Sequence, residues 1–171
     1  MTADTGYFIR PGRPDDVPGV DSLLARSYPR LLKADYAPSA LVMAIPLIAR
    51  AQPALVACGT YYVAELADGT IIGAGGWTRH NPATGRAEDS LASIRHFATD
   101  PDLVRRGIGR ALMNRCLREA RAAGMTGMLC YSTRTAVPFY ASQGFVPLAD
   151  VEIELQPGIR FPAVRMERVV P

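Results

Sequence analysis

Apolar residues fall in short bursts along this chain, and the spacing within each burst separates strands from helices. Tyr7-Phe8-Ile9-Arg10 reads as a short strand closed by Pro11 and Gly12. The acidic pair Asp15-Asp16 opens a helix that runs to about Tyr28, because negative charge favours a helix N-terminus. A second helical stretch is expected over 39–50, kinked or divided by Pro46. Two apolar runs, 61–66 and 71–77, flank Ala67-Asp68-Gly69-Thr70 and form a hairpin with a DG turn. The polar, turn-rich run RHNPATGRAEDS at 79–90 reads as loop.

The second half continues the alternation. Residues 92–99 are a strand ended by Asp100-Pro101, and an amphipathic helix follows over about 107–123, with Gly124 as its stop. Ile108, Leu112, Met113, Cys116, Leu117 and Ala120 share one face of that helix, while Arg110, Asn114, Arg118 and Arg121 share the other. Residues 127–131 form a strand and 136–142 a short helix before Gly144. A last hairpin pairs 151–155 with 162–169 across Gln156-Pro157-Gly158. Antiparallel hairpins combined with one strand–helix–strand crossover imply an α/β (α+β mixed) fold, a mixed sheet with helices laid on it. No repeat or linker divides residues 1–171, so one domain is expected, with its core at about 7–170.

Composition narrows the class. Hydrophobic residues make up 49% and charged residues 20%, the balance of a globular chain, and a net charge of +3 is too small to argue for nucleic acid. Lys33 is the only lysine. Such an excess of arginine is a bacterial-like composition bias and carries chemical weight only where arginines cluster. Cys58, Cys116 and Cys130 show no CxxC spacing, which argues against a disulfide framework and against a metal site. The longest apolar run, at 40–49, contains Pro46 and is half the length of a membrane span, so a cytoplasmic location with no membrane partner is expected.

The arginines cluster at 104–111, VRRGIGRA. Gly107-Ile108-Gly109 stands where a strand has ended and a helix begins. The first helical N–H groups there lack internal partners, and together with the helix dipole they favour an anion. Arg105, Arg106 and Arg110 add charge within reach of phosphate oxygens. A GxG pair alone is equally a tight turn. The dinucleotide fingerprint fails at Leu112, where a third glycine belongs, and a P-loop fails for want of a lysine.

Residues 92–113, ASIRHFATDPDLVRRGIGRALM, followed by PFYASQGF at 138–145, resemble the two core motifs of the GNAT superfamily of acetyl-CoA-dependent N-acetyltransferases. The motifs stand in the family's order, and the order of elements is similar over nearly the whole chain. Val104 departs from the family's usual Arg or Gln. The resemblance implies an acyl-CoA N-acyltransferase-like fold with a central, mostly antiparallel sheet of six to seven strands, splayed between the strands at 92–99 and 127–131. It implies acetyl-CoA as co-substrate, held by Phe97, Ala98 and Thr99 along the strand and by Val104, Arg105, Arg106, Gly107, Ile108, Gly109, Arg110 and Ala111 at the loop. Ser132 and Phe139 complete that set, and Arg134 is a further candidate for a phosphate.

The resemblance further implies direct attack of a primary amine on the thioester in a ternary complex, with Tyr140 as general acid. Without the family context, Tyr140 reads as a core aromatic beside Phe139 and Phe145. The base is not specified. The family's strand glutamate is replaced by Ser93. Alternation places Arg95 with Ser93 and His96 on the opposite face with Ile94 and Ala98, and Glu65, Glu88, Asp89 and Glu152 are the remaining carboxylate candidates. The acceptor, a small-molecule amine or a protein amine, would lie against 28–60 and 79–90, which bring Tyr28, Tyr36, Tyr61 and Trp77. A homodimer is compatible with the sequence and is not specified by it. The missing strand carboxylate also leaves open a second reading, a non-catalytic acetyl-CoA-binding sensor or regulatory module.

Overall fold

The computed structural model describes residues 6–171. Its strands are β1 (Tyr7–Pro11), β2 (Tyr61–Leu66), β3 (Ile71–Thr78), β4 (Leu91–Thr99), β5 (Gly127–Ser132), β6 (Val146–Gln156) and β7 (Ile159–Val169). They form one open sheet in the order β1-β2-β3-β4-β5-β7-β6. Every neighbouring pair is antiparallel except β4 and β5. The mixed, mostly antiparallel α/β sheet expected from the sequence is therefore present, with seven strands.

Helices cover both faces. α1 (Val17–Leu32), α2 (Pro38–Ile48) and the short α3 (Pro53–Val56) lie on one face, and α4 (Ile108–Ala122) lies on the other, with α5 (Val137–Ser142) beside it. The apolar stripe of α4 is buried as its periodicity requires: Ile108, Leu112, Met113, Cys116 and Ala120 are each at most 1% exposed. They pack on Tyr62, Ala64, Ile72, Ala92, Ile94, Met128 and Cys130. On the other face Val20, Leu23 and Leu24 of α1 meet Tyr61, Val63, Ile71, Ala74 and Ala98. Neighbouring residues of one strand thus feed two separate cores.

Several elements differ from the sequence reading. α1 continues through Pro29 to Leu32, because the extra turn buries Leu32 beside Tyr36, Ala44 and Phe161. α2 ends at Ile48, and Pro46 lies inside it without dividing it. α3 went unpredicted, although Pro53 at its first position is a start signal. β6 begins at Val146 rather than 151, and its first five residues are all exposed, so no burial pattern announced them. The loop 79–90 is fastened away from the α4 N-terminus. The Arg79 guanidinium donates to the Ala123 carbonyl (2.8 Å) just beyond the C-terminus of α4, and the Asn81 carboxamide accepts from the backbone N–H of Ala83 (2.9 Å).

A half-buried ionic triad closes the β1 edge. Arg10 donates two bonds to Asp16 (2.8 Å each) and one to Glu65 (2.6 Å), while the Arg13 backbone N–H donates to Asp16 (2.7 Å). The Arg10 guanidinium holds the Asp16 carboxyl below its ordinary range, against the opposing effect of burial. A carboxylate lowered in the folded state adds stability above its unfolded pKa of about 4 and loses it as pH falls through the folded value. Asp16→Ala is expected to cost about 3 kcal/mol at neutral pH. The gap in thermal stability from wild type should close on acidification, and a gap that stayed constant down to pH 2 would remove the triad from the account.

Candidate active site

β4 and β5 hydrogen-bond only over Leu91–Ser93 and Gly127–Leu129. Beyond Ser93 the two strands part, as the resemblance implied, and a wedge opens between them. On its other edge β4 remains paired with β3 as far as Gly73↔Thr99, but the register shifts between Ala74 and Gly76. The extra residue of this bulge is at His96, whose φ is +51°. The bulge corrects the expected alternation. Ile94 and Phe97 face the α4 core, Ala98 faces the α1 core, and His96 turns with Ala98 toward α1 rather than sharing a face with Ile94.

Hydroxyl groups fix the bulged segment from the α1 face. Tyr61 donates to the His96 carbonyl (3.0 Å), Tyr28 to the Phe97 carbonyl (3.2 Å) and Ser27 to the Thr99 carbonyl (2.9 Å). Sequence reasoning assigned no such role to Ser27, Tyr28 or Tyr61. The imidazole Nε2 of His96 lies 2.8 Å from the Ile48 carbonyl at the end of α2, and burial lowers the His96 pKa. The neutral ring therefore donates from Nε2 and keeps Nδ1 as an acceptor.

On the α4 face the wedge is lined by aromatic rings. Tyr140 contacts Phe139, Phe145 and Phe97 at centroid distances of 5.2, 5.4 and 6.4 Å. Gly75 of β3 makes room for Phe97, because a Cβ there would collide with its ring. Tyr140 is buried, and desolvation holds its phenol well above the usual 10, so it is protonated at any ordinary pH. Burial likewise raises the Cys116 and Cys130 thiols, which leaves both as inert core residues. Tyr61 and Trp77, offered above as acceptor-lining residues, belong to the α1 and α4 cores respectively. Tyr28 and Tyr36 remain at the α1/α2 side of the wedge.

Above the wedge stands the N-terminus of α4. Gly107 is its N-cap, with φ +80° and no side-chain cap, and Arg105 before it also has positive φ. The first-turn N–H groups therefore face outward without a side-chain acceptor, and the turn carries no acidic residue. Val104, Arg105, Arg106 and Arg110 are exposed around it, while Ile108 is buried as an anchor. The carboxylates on the approach to this turn are neutralised by α1, Arg26 pairing with Asp100 and Arg30 with Asp102, both at 3.0 Å. Gly109 lies against Phe139, whose ring atoms would sit 3.1 Å from an added Cβ, so the two sequence motifs touch here. Ser132 is buried and donates to the Thr133 carbonyl (2.6 Å). The Arg134 guanidinium lies over the Tyr36 ring at 5.5 Å rather than near the turn.

An uncapped helix N-terminus among three arginines fits a pyrophosphate, and the wedge below it is open to an extended arm that hydrogen-bonds strand backbone. These features fit acetyl-CoA. Among the described residues, no group of three or more metal-ligating side chains is gathered, and no helix is long and apolar enough to cross a membrane.

Residues 57–147 match the family model described as an acetyltransferase (GNAT) domain. No curated protein matches the chain in sequence. Among solved structures, the chain is similar to a GCN5-related N-acetyltransferase from Rhodopseudomonas palustris, with a TM-score of 0.73, 20% identity, and 99% of this chain and 98% of that chain covered. It is also similar to the PaiA N-acetyltransferase of Thermoplasma acidophilum in complex with coenzyme A (TM-score 0.71, 16% identity, 96% and 99% covered). A third is the ribosomal-protein-S18-alanine N-acetyltransferase of Escherichia coli (TM-score 0.64, 16% identity, 96% and 94% covered). At these identities the likeness is one of fold.

The space around Gly107 is open, so only its φ resists a side chain. Gly107→Ala is expected to cost about 1 kcal/mol of stability and little else. Gly107→Asp should add to that a large loss of coenzyme A affinity in calorimetry, because its carboxylate enters the anion site. Equal affinities in the two variants would place the phosphates elsewhere.

Proposed function

From the premise that the chain belongs to the acetyltransferase (GNAT) family, and is therefore an acyltransferase, we propose that it acetylates a primary amine by direct attack on acetyl-CoA. One observation carries this reading: β4 and β5 part directly below an uncapped helix N-terminus, with a protonated tyrosine against the opening.

In this reading the pyrophosphate rests on the first turn of α4, from Gly107 to Ala111, within reach of Arg105, Arg106 and Arg110. The pantetheine arm runs down the free edge of β4 along Phe97, Ala98 and Thr99, and Phe139 and Ser132 line its other side. Backbone N–H groups of β4 face the thioester carbonyl and receive the charge that develops on its oxygen. The amine nitrogen forms the new C–N bond, the C–S bond breaks, and its electron pair leaves on sulfur.

Tyr140 is the group nearest to that sulfur in this arrangement. Its phenol is a weaker acid than an ordinary thiol, so it acts first as a hydrogen-bond donor to the developing thiolate. Proton transfer follows only as the thiolate is itself desolvated. The ammonium proton leaves toward the α1 face, where the free Nδ1 of His96 and solvent are the available acceptors.

The test is thiol release from acetyl-CoA over a panel of amines. Tyr140→Phe should lower kcat by about 100-fold while coenzyme A affinity by calorimetry stays unchanged. An unaltered kcat would dismiss Tyr140 as the acid. Tight cofactor binding with no turnover of any amine would favour the sensor module instead.

A further inference from the structure

Most arginines of this protein are either exposed or matched to a carboxylate, and the part-buried Arg168 donates to the backbone carbonyls of Gln143 and Val169. Arg10, Arg26, Arg30, Arg115, Arg160 and Arg165 each have an acidic partner within 4 Å. Arg95 has none among the described residues, although its side chain is half-buried and desolvation opposes its charge. Its guanidinium donates to two neutral oxygens, the Thr78 hydroxyl at 3.1 Å and the Gln52 carboxamide at 3.5 Å, the second at the limit of a hydrogen bond. A guanidinium cannot shed its proton at any ordinary pH, so this charge stays partly desolvated without a counter-ion.

Its position gives that charge a use. The last β4–β5 pair, Ser93 with Leu129, faces the α1/α2 side, and Arg95 is the next residue of β4 on that side. It therefore stands where the wedge opens, two residues before Phe97. On the opposite wall the corresponding row is Tyr131 of β5, paired with Arg165 of β7. Arg165 bonds Glu167 at 2.7 Å through one terminal nitrogen, while its Nε is buried without a partner. The α1/α2 side of the wedge thus carries Arg95 on the β4 wall and, beyond Tyr131, Arg165 with Glu167 as its partner.

We propose that Arg95, with Arg165 across the wedge, recognises a carboxylate on the amine acceptor, so that the substrate is an amino acid or another amine bearing a carboxylate. The bulge at His96 makes Arg95 to Phe97 shorter than the ~6.5 Å of two extended residues, which bounds the order of the distance between the carboxylate and the nitrogen attacking beside Phe97. The guanidinium exchanges its weak bond to Gln52 for a paired, charge-assisted one, and its uncompensated charge is neutralised on binding. The inference rests on the acyl-transfer reading for the identity of the ligand as acceptor, and on the charge pattern alone for its carboxylate.

Two measurements separate these bases. In the first, the protein saturated with coenzyme A is titrated with N-acetyl-leucine and with its decarboxylated counterpart, N-isopentylacetamide, while fluorescence of the single tryptophan and thermal stability are followed. The carboxylated compound should bind more tightly, and Arg95→Gln should abolish the difference while coenzyme A affinity holds. In the second, thiol release is compared for leucine and isopentylamine. The amino acid should be preferred by about 10- to 100-fold in kcat/KM, the range of a charge-assisted hydrogen bond. Arg95→Gln should erase the preference mainly through KM, and Arg95→Lys should restore part of it. Arginine-dependent carboxylate binding without turnover would sink the acyl-transfer reading and leave the anion site standing. Turnover with no carboxylate preference, a preference that survives Arg95→Gln, or no carboxylate binding in either assay would overturn the proposal.

Discussion

Parallel pairing between β4 and β5 stops after three residues, at Ser93 and Leu129, and the backbone beyond that point has to be satisfied by something other than a neighbouring strand. Much of the surrounding structure answers that demand. Ser27, Tyr28 and Tyr61 place hydroxyls on three carbonyls of β4, and His96 ties the bulge to the end of α2. Behind the strand, the rings of Phe97, Phe139, Tyr140 and Phe145 line the α4 side of the gap. The wedge is thus supported from both faces rather than left as a defect in the sheet.

Support from two faces also divides the chemistry. The α4 side holds the anion-binding turn and the protonated phenol, and its acids are removed by pairing with α1 arginines. The α1/α2 side holds the neutral imidazole, Tyr28, Tyr36 and the arginines flanking the opening. Donor and acceptor of the acyl group would meet across a single strand, each in an environment of its own polarity.

Legibility in the sequence followed the range of the interaction involved. The Gly107-Ile108-Gly109 turn and the α4 stripe are local patterns, and both lie where their residue types require. β6 escaped because an edge strand with five exposed residues has no alternation to read. The sidedness of His96 failed for a different reason. Alternation is a sound rule until one residue is inserted, and the bulge at His96 arises from pairing with β3 and from hydroxyls more than thirty residues away. Trp77 and Tyr61 looked like binding aromatics because composition cannot distinguish a ring in a core from a ring at a mouth. Family resemblance supplied what local pattern could not, the parting of β4 from β5.

The same bulge has a consequence for how this protein can change over time. With one extra residue in the strand, Arg95, His96 and Ala98 face one ligand's side while Ile94, Phe97 and Thr99 face the other's. Removing His96 would restore simple alternation and leave both sets on their present faces, at the loss of the imidazole bond to Ile48 and the Tyr61 bond to the bulge carbonyl. Substitutions can therefore retune either specificity independently, and the bulge is the place in this strand where a residue can be lost without turning the others over. A change of length elsewhere in the strand would exchange the two sets, so there divergence in substrate should proceed by substitution.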